Sequence, residues 1–398
     1  MNERMRRLGE ERSAIRELYE YGLRRKELGD ENVFDFSLGS PSVPTAASVQ
    51  REIGRLLKET PPEILHGYTS AAGLNSAREA VAAQLKRDYG ARISAEHIYL
   101  TCGAAASLTA AFHALAEAGD EFVVISPYFP EYRVFIEGAG GRCVEAKADA
   151  RFHPDFSALE KAIGEHTKAV VINSPNNPTG AVYTAEEIAA LSRLLQRKSR
   201  EKGSPVYLIS DEPYRELTYG VAAPFPANAY ENTLVCYSFS KSLSLAGERI
   251  GYLAVNDGCA EADALFAAVC GAARSLGFVC APSLFQRVAE RCVGQTADFG
   301  AYRNNRALLS GALSDMGYAV VPPEGAFYLF VKSPEADAKA FSERAKRYGL
   351  LLVPSDSFGV TGYVRISYCV PEERIHRALP AFRALLKEYG GAVRFSNG

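Results

Sequence analysis

The chain has 398 residues, of which 47% are hydrophobic, and a formal net charge of -2. This length exceeds one typical domain and supplies a large apolar core. The small net charge argues against a nucleic-acid-binding protein, because the densest basic run, residues 24–26, lies among acidic residues as on a solvated helix face. No apolar run approaches the length of a membrane span, and the charged first residues lack the apolar segment of a secretory signal. We therefore expect a cytoplasmic protein that binds neither nucleic acid nor membranes.

The eight cysteines are scattered singly along the chain, and no two of them have the C-x-x-C spacing of a zinc or redox site. Several lie inside apolar runs, which is typical of buried, reduced thiols in a cytosolic protein. We therefore predict no metal site. The cysteines are Cys102, Cys143, Cys236, Cys259, Cys270, Cys280, Cys292 and Cys369.

In chain order, residues 4–28 have the apolar spacing of an amphipathic helix, and a short strand with a Gly/Pro-rich loop, NVFDFSLGSPSVPT, follows. From residue 97 onward, short apolar runs alternate with helical stretches at 103–117, 130–138 and 184–201. The predicted strands are HIYLT, EFVVIS, KAVVIN, PVYLIS, NTLVCYS and RIGYLAV. Such short apolar runs suit strands buried on both faces of a parallel sheet, so the predicted class is α/β.

Beyond residue 282 the pattern changes to a long helical stretch at 283–313, which we expect to connect two domains. Three strands (YAVV, GAFYLFV and LLLVP), a helix near 336–348, a further strand (YVRISYC) and a last helix indicate a smaller α+β domain. The predicted division is an N-terminal helix and segment, 1–45, that packs with the small domain, a large domain, 46–285, and the small domain, 286–398.

Chemically useful residues follow the predicted strands of the large domain, and ligands of open α/β sheets bind beyond the carboxyl ends of the strands. One cleft is therefore expected to collect the residues that follow five strands. These are Gly103, Ala104 and Ala105 after the first, Tyr128 and Phe129 after the second, Asn177 after the third, Asp211 and Tyr214 after the fourth, and Ser240 and Lys241 after the fifth.

Three motifs in this order, NSPNNPTG, SDEPY and SFSKSLSLAGERIGY, resemble those of the class I and II aminotransferases, which depend on pyridoxal 5′-phosphate (PLP) and have fold type I. The resemblance extends from the DFSLGSP loop to YVRIS. It implies a large domain with a mostly parallel seven-stranded sheet between helices, and a smaller α+β domain.

The resemblance also implies how the cofactor is held. Lys241 matches the lysine that forms a Schiff base with PLP and moves the substrate proton, and Asp211 matches the carboxylate that keeps the pyridine nitrogen protonated. Tyr214 and Asn177 match the groups that bind the ring oxygen O3′. Phe129 matches the aromatic residue stacked on the ring, with Tyr128 as the alternative. The implied phosphate ligands are Gly103, Ala104, Ala105, Ser238, Ser240, Arg249 and, from the partner subunit of a homodimer, Tyr68.

Several of these residue types also have ordinary structural uses. Asp after a strand commonly caps a helix, Ser240 could be a capping hydroxyl, and the NNPTG motif is a typical turn. The resemblance also makes Asn177–Pro178 a candidate cis peptide bond. For the substrate, Arg365 matches the arginine that holds the α-carboxylate, with a surface arginine on an edge strand as the alternative.

The resemblance further implies that Asn177 and Gly39 lie against the substrate, and that a side chain at Gly39 would collide with it. The identity of the amino acid stays open. One subgroup of dicarboxylate-specific relatives uses a lysine where this chain has Ala105, and another uses a partner arginine near Arg274 or Ser275.

Three functions are compatible with these residues. The first is an aminotransferase that moves an amino group from an L-amino acid to a 2-oxo acid in a ping-pong cycle through Lys241. The second is a PLP-dependent carbon–sulfur β-lyase on the same scaffold. The third is a non-catalytic PLP-binding sensor module. The last reading is disfavoured because only about 30 residues precede the FDFSLG strand, too few for a DNA-binding domain.

Overall fold

The structure, a computed structural model, describes residues 1–10 and 13–391. It begins with helices α1 (Glu3–Glu10) and α2 (Ala14–Glu27) and strand β1 (Phe34–Asp35). The prediction of a single helix over 4–28 is therefore wrong, because two separate helices cover this range. Ser13 caps α2 through a hydrogen bond from the Arg16 amide to its hydroxyl (3.4 Å), and such a residue favours a new helix start. Residues 11–12 of the predicted helix, and 392–398 of the predicted small domain, lie outside the described residues.

A seven-stranded sheet forms the centre of the large domain. Its strands are β2 (Ile98–Thr101), β3 (Glu121–Ser126), β4 (Arg142–Lys147), β5 (Thr167–Asn173), β6 (Tyr207–Asp211), β7 (Thr233–Ser238) and β8 (Gly251–Val255). The strand order is β2-β8-β7-β6-β5-β3-β4, and β8 alone runs antiparallel to its neighbours. The predicted α/β class with a mostly parallel sheet is confirmed.

Helices cover this sheet, so that its inner strands are buried on both faces and their sequences are continuously apolar. The edge strand β4 has only two buried residues, Cys143 and Ala146, and carries charged side chains, which explains why its sequence did not stand out as a strand. The helices are α3 (Ala47–Glu59), α4 (Pro62–Leu65), α5 (Asn75–Tyr89), α6 (Ala104–Leu115), α7 (Glu131–Gly138), α8 (Phe156–Ala162), α9 (Ala185–Lys202), α10 (Phe239–Ser242), α11 (Ala262–Ser275) and α12 (Ser283–Cys292).

The C-terminal part contains α13 (Gly300–Met316), β9 (Val320–Val321), β10 (Tyr328–Lys332), α14 (Ala338–Lys346), β11 (Leu350–Leu351), β12 (Val353–Pro354), β13 (Tyr363–Ser367) and α15 (Glu372–Lys387). An antiparallel sheet of order β12-β13-β10-β9 forms its centre. The predicted continuous helix at 283–313 is wrong. It is broken between α12 and α13, where Gly294 has a left-handed φ of 82° that ends a helix.

The N-terminal segment packs against this C-terminal part. Strand β1 pairs in parallel with β11, and Leu18 of α2 packs with Val353 and Phe358. These contacts support the proposed 1–45 segment, and the exact domain limits remain a proposal. Within the described residues, no helix is both long and apolar enough to cross a membrane.

Candidate active site

A cavity of about 270 Å³ lies where the carboxyl ends of the large-sheet strands face the C-terminal part. Most of the predicted site residues line this one cavity. They are Gly39, Ala104, Ala105, Phe129, Asn177, Asp211, Tyr214, Ser238, Ser240, Lys241, Arg249 and Arg365. Gly103 lies immediately before α6 at its edge, whereas Tyr68 does not line it. The sheet topology explains why these residues lie together, because parallel strands bring their carboxyl ends to one edge of the sheet.

Lys241 lies in the one-turn helix α10, directly after β7. Its Nζ donates a hydrogen bond to the Gly39 carbonyl (2.6 Å) and lies 5.4 Å from the centre of the Phe327 ring. Burial lowers the pKa of Lys241 to about 8, and the charges of Arg249 and Arg365 act in the same direction. The amine is thus available in its neutral, nucleophilic form near neutral pH.

Asp211 ends β6 and is 5% exposed. Its Oδ2 accepts a hydrogen bond from the Tyr132 hydroxyl (2.5 Å), and its Oδ1 is buried with no hydrogen-bond partner among the described residues. Burial raises the pKa of Asp211 to about 7, although the bond from Tyr132 lowers it. The carboxylate of this cavity-lining residue therefore has one oxygen free to accept a hydrogen bond, and it caps none of the described helices.

Arg365 lies on β13, an inner strand of its sheet, and is 1% exposed, so the alternative of a surface arginine is wrong. Its Nη1 donates to Asn177 Oδ1 (3.0 Å) and its Nη2 to the Ser37 carbonyl. Its buried Nε has no partner among the described residues. The Asn177–Pro178 peptide bond is cis, as the family resemblance implied. The hydrogen bond between Arg365 and Asn177 thus joins a cation of the C-terminal part to the NNPTG loop of the large domain.

Tyr214 follows Asp211 by one turn and is buried. Its hydroxyl is 2.8 Å from that of Tyr328, on β10, and the guanidinium carbon of Arg365 lies 4.6 Å from the centre of the Tyr328 ring. Tyr328 is 2% exposed and lines the cavity. It thereby links the groups that follow β6 to those on β13.

Gly39 lines the cavity and lies against Tyr328. A Cβ built on it would lie 1.9 Å from the hydroxyl oxygen of Tyr328 and 2.8 Å from the adjoining ring carbon. A side chain here would therefore collide with Tyr328, and its predicted collision with a substrate remains a proposal. Since the Tyr328 ring is held against Arg365 and Tyr214, it has little freedom to move aside.

We expect Gly39→Ala to lower the free energy of unfolding by about 1–3 kcal/mol, because the added methyl overfills a packed site. Urea unfolding of the cofactor-free protein would measure the effect. The matched control is Gly54→Ala in α3, where a Cβ meets nothing within 4 Å and alanine favours the helix. Equal stabilities of the two variants would show that Tyr328 yields to the methyl group.

A cationic pocket forms at the start of α6. Gly103 has a left-handed φ of 86°, and a Cβ there would lie 2.9 Å from Nη2 of Arg249. Nearby, Ser238 caps α10 by accepting from the Ser240 amide (3.1 Å), and the two hydroxyls lie 2.7 Å apart. Helix starts present free backbone N–H groups, so this corner offers donors and positive charge to an anion.

The aromatic alternatives separate in the structure. Phe129 lines the cavity, whereas the Tyr128 hydroxyl donates to Glu145 (2.7 Å), which is not among the cavity-lining residues. Tyr68 is fully exposed, and Arg274 lies on the exposed side of α11. Neither Tyr68 nor Arg274 lines the cavity of its own chain.

Comparison with known proteins agrees with this geometry. The family model "Aminotransferase class I and II" matches residues 31–382. The chain belongs to this family. The aspartate/prephenate aminotransferase of Thermus thermophilus is 33% identical over 87% of this chain and 89% of its own length.

Solved structures agree as well. An aminotransferase from Eubacterium rectale is 52% identical, with a TM-score of 0.95 over 98% of this chain and 99% of its own. The Thermus thermophilus aspartate aminotransferase with maleate is 30% identical, with a TM-score of 0.84 over 96% and 99% of the two chains. The protein is an aminotransferase, and these comparisons do not favour the lyase or the sensor reading.

Sequence reasoning missed three polar residues of this aminotransferase site. Tyr132 binds Asp211 from α7, Tyr328 contacts Tyr214 and Arg365, and the Asn173 carboxamide accepts from the Asn177 amide (2.7 Å) and donates to the Asp211 carbonyl (2.8 Å). Tyr328 and Asn173 stand within apolar segments, where a hydroxyl or amide suggests a buried partner, whereas Tyr132 stands between Glu131 and Arg133 and gives no such signal. The sequence alone does not identify that partner.

Proposed function

We propose that this aminotransferase binds PLP in the cavity, with Lys241 as the covalent attachment, and moves the amino group of an L-amino acid to a 2-oxo acid. Asp211 Oδ1 carries this proposal, because a buried carboxylate oxygen without a partner is costly unless a donor completes it. A protonated pyridine nitrogen is such a donor, and its positive charge would also offset the burial of the carboxylate.

The remaining residues fit the other parts of PLP. Lys241 provides a neutral amine near pH 8, and the corner formed by Gly103, Arg249 and the Ser238–Ser240 pair provides donors for a phosphate. Phe129 lines the cavity as an apolar wall. When bound, PLP supplies an electron sink for the charge that develops at the substrate α-carbon.

The chain's own residues then have separate tasks. Lys241 Nζ takes and returns the α-proton, as its lowered pKa permits. Asp211 holds the ring nitrogen in its protonated form, while the Tyr214 hydroxyl and the Asn177 amide would bind the ring oxygen. Water is limited by the buried surroundings of Asp211 and Tyr214.

Arg365 is proposed to bind the α-carboxylate of the amino acid. It is buried, it is held by Asn177 and Ser37 through one nitrogen each, and its Nε has no hydrogen-bond partner within residues 1–10 and 13–391. A carboxylate would complete these donors and neutralise the buried charge. Gly39 and Asn177 are proposed to border the same substrate. The name of the Thermus relative makes aspartate the first donor to test.

We also propose that the protein is a cytoplasmic homodimer with shared sites. Tyr68 is fully exposed in one chain, and an exposed tyrosine whose hydroxyl has no task in its own cavity suits a contact with a partner's phosphate corner. This proposal extends the role that the sequence resemblance implies for Tyr68.

The test is an absorption spectrum of the purified protein with added PLP, recorded while single amino acids are added without any oxo acid. We expect a cofactor band near roughly 360 or 420 nm and, with a true donor, its replacement by a band near about 330 nm. If aspartate causes this replacement of the cofactor band, aspartate is a donor. A protein that never shows a cofactor band would refute the proposed PLP site.

A band that persists with every amino acid, together with pyruvate and ammonia released from cystathionine, would instead identify a β-lyase. Either result would be compared with that of the Lys202→Ala variant, which should behave like the wild-type protein. Lys202 Nζ also donates to a backbone carbonyl, that of Thr167 (2.7 Å), but does not line the cavity.

A further inference from the structure

Tyr328, which the sequence analysis did not identify, contacts three of the proposed site residues: Tyr214, Arg365 and Gly39. It begins β10, is 2% exposed, and belongs to the C-terminal part rather than to the large sheet. Its hydroxyl is 2.8 Å from that of Tyr214, its ring lies under the guanidinium of Arg365 (4.6 Å), and it fills the space beside Gly39. One side chain thus connects the proposed cofactor-binding and substrate-binding groups.

The two phenols constrain each other's protons. A phenol has one proton to donate, and only one proton can lie between two hydroxyl oxygens. If Tyr214 donates its proton to an oxygen in the cavity, the bond between the phenols must be donated by Tyr328. A hydroxyl that accepts a hydrogen bond is in turn a stronger donor.

The ring of Tyr328 has a second effect. Arg365 is buried between aromatic faces, since its guanidinium carbon lies 4.6 Å from the centre of the Tyr328 ring and 5.3 Å from that of Phe358. A desolvated guanidinium over an aromatic face is held by cation–π attraction. The ring therefore stabilises both the charge and the orientation of the arginine.

We propose that Tyr328 is a positioning residue whose hydroxyl donates a hydrogen bond to Tyr214 and whose ring supports Arg365. One side chain thereby affects both the hydrogen bond from Tyr214 to the cofactor and the binding of the substrate carboxylate by Arg365. This inference rests on the proposed function, since it assigns the cavity-facing bond of Tyr214 to PLP. It goes further by giving the C-terminal part control over a group of the large domain.

The hydroxyl is tested by Tyr328→Phe, which keeps the ring. A hydrogen bond to the anionic form of the cofactor oxygen favours that form, so its weakening must raise the pKa of the pH-dependent change in the visible cofactor band. We expect a rise of about 0.3–1 pH unit, as from the partial loss of one hydrogen bond. The measurement is an absorbance titration of the PLP-loaded protein without substrate.

The double variant Tyr214→Phe/Tyr328→Phe separates a relay from an independent effect. If Tyr328 acts through Tyr214, the cofactor band of the double variant should titrate with the same pKa as that of Tyr214→Phe alone. The reason is that, without the Tyr214 hydroxyl, the second substitution has no hydrogen bond to the cofactor left to weaken. Shifts that add in the double variant, or an unshifted Tyr328→Phe, would overturn the inference. Tyr318→Phe is the matched control, since it loses one buried bond, to the Phe382 carbonyl (2.8 Å), outside the cavity.

The ring is tested by comparing Tyr328→Leu with Tyr328→Phe in steady-state kinetics with the donor found by the spectral screen. Loss of the aromatic face should raise the KM for the amino acid about 5- to 30-fold beyond the value in Tyr328→Phe. Equal KM values in the two variants would remove this half of the inference. A wild-type protein without a cofactor band would remove the proposed function itself. A wild-type band with no change in either Tyr328 variant would remove only the role of Tyr328.

Discussion

Lys241→Ala is expected to abolish turnover, with a loss of at least roughly 10²- to 10⁴-fold from proton transfer alone. The reason is that Nζ is the proposed attachment point of the cofactor and the base for the substrate proton. Burial lowers the pKa of Lys241 to about 8, so the wild-type amine is ready for both tasks. The measurement is amino-group transfer from the identified donor to a 2-oxo acid, with PLP in excess.

Two variants make this result specific. Lys241→Arg keeps a positive charge but cannot form the attachment, so it should be as inactive as Lys241→Ala. Lys202→Ala removes another lysine whose pKa burial lowers, and it should retain activity because Lys202 is remote from the cavity. Appreciable turnover by Lys241→Ala would mean that the cofactor is held elsewhere and that the proposed mechanism is wrong.

Asp211→Asn is expected to reduce turnover by at least about 100-fold, because an amide cannot keep the pyridine nitrogen protonated and a preorganised charge is lost. It should also change the pH dependence of stability in the cofactor-free protein. Burial raises the pKa of Asp211 from 3.8 to about 7, so the folded state binds more protons than the unfolded state between these values. The contribution of this carboxyl group to stability must therefore fall as the pH rises from about 4 to about 7.

Urea unfolding at several pH values would measure this contribution, which is on the order of a few kcal/mol and should be missing from Asp211→Asn. The matched control is Asp155→Asn at the N-cap of α8, where asparagine caps nearly as well and the wild-type slope should persist. The same pH slope in wild type and Asp211→Asn would contradict the raised pKa. Bound PLP should flatten the wild-type slope by placing a cation beside Oδ1.

The strands and the residues that follow them could be predicted from sequence because local chemistry identifies both. The run KAVVIN is apolar because β5 is buried on both faces, and NSPNNPTG follows it because the chain must turn sharply at the sheet edge. One topological rule then brings Asn177, Asp211 and Lys241 together. Continuity of helices was harder to predict, since Ser13 begins a new helix and Gly294 follows the end of another within stretches of helical apolar spacing.

Contacts across the cavity were decided by the tertiary structure alone. The sequence determined the α/β class and the residues at the strand ends, among them the proposed site residues Lys241 and Asp211. It did not determine that Tyr132 would meet Asp211, or that Tyr328 would fill the space at Gly39 and join Tyr214 to Arg365. These partners are remote in the chain, and the sequence around each would look the same with another neighbour. Periodicity reports which face of an element is buried, whereas only the packing of whole elements decides which polar groups that face meets.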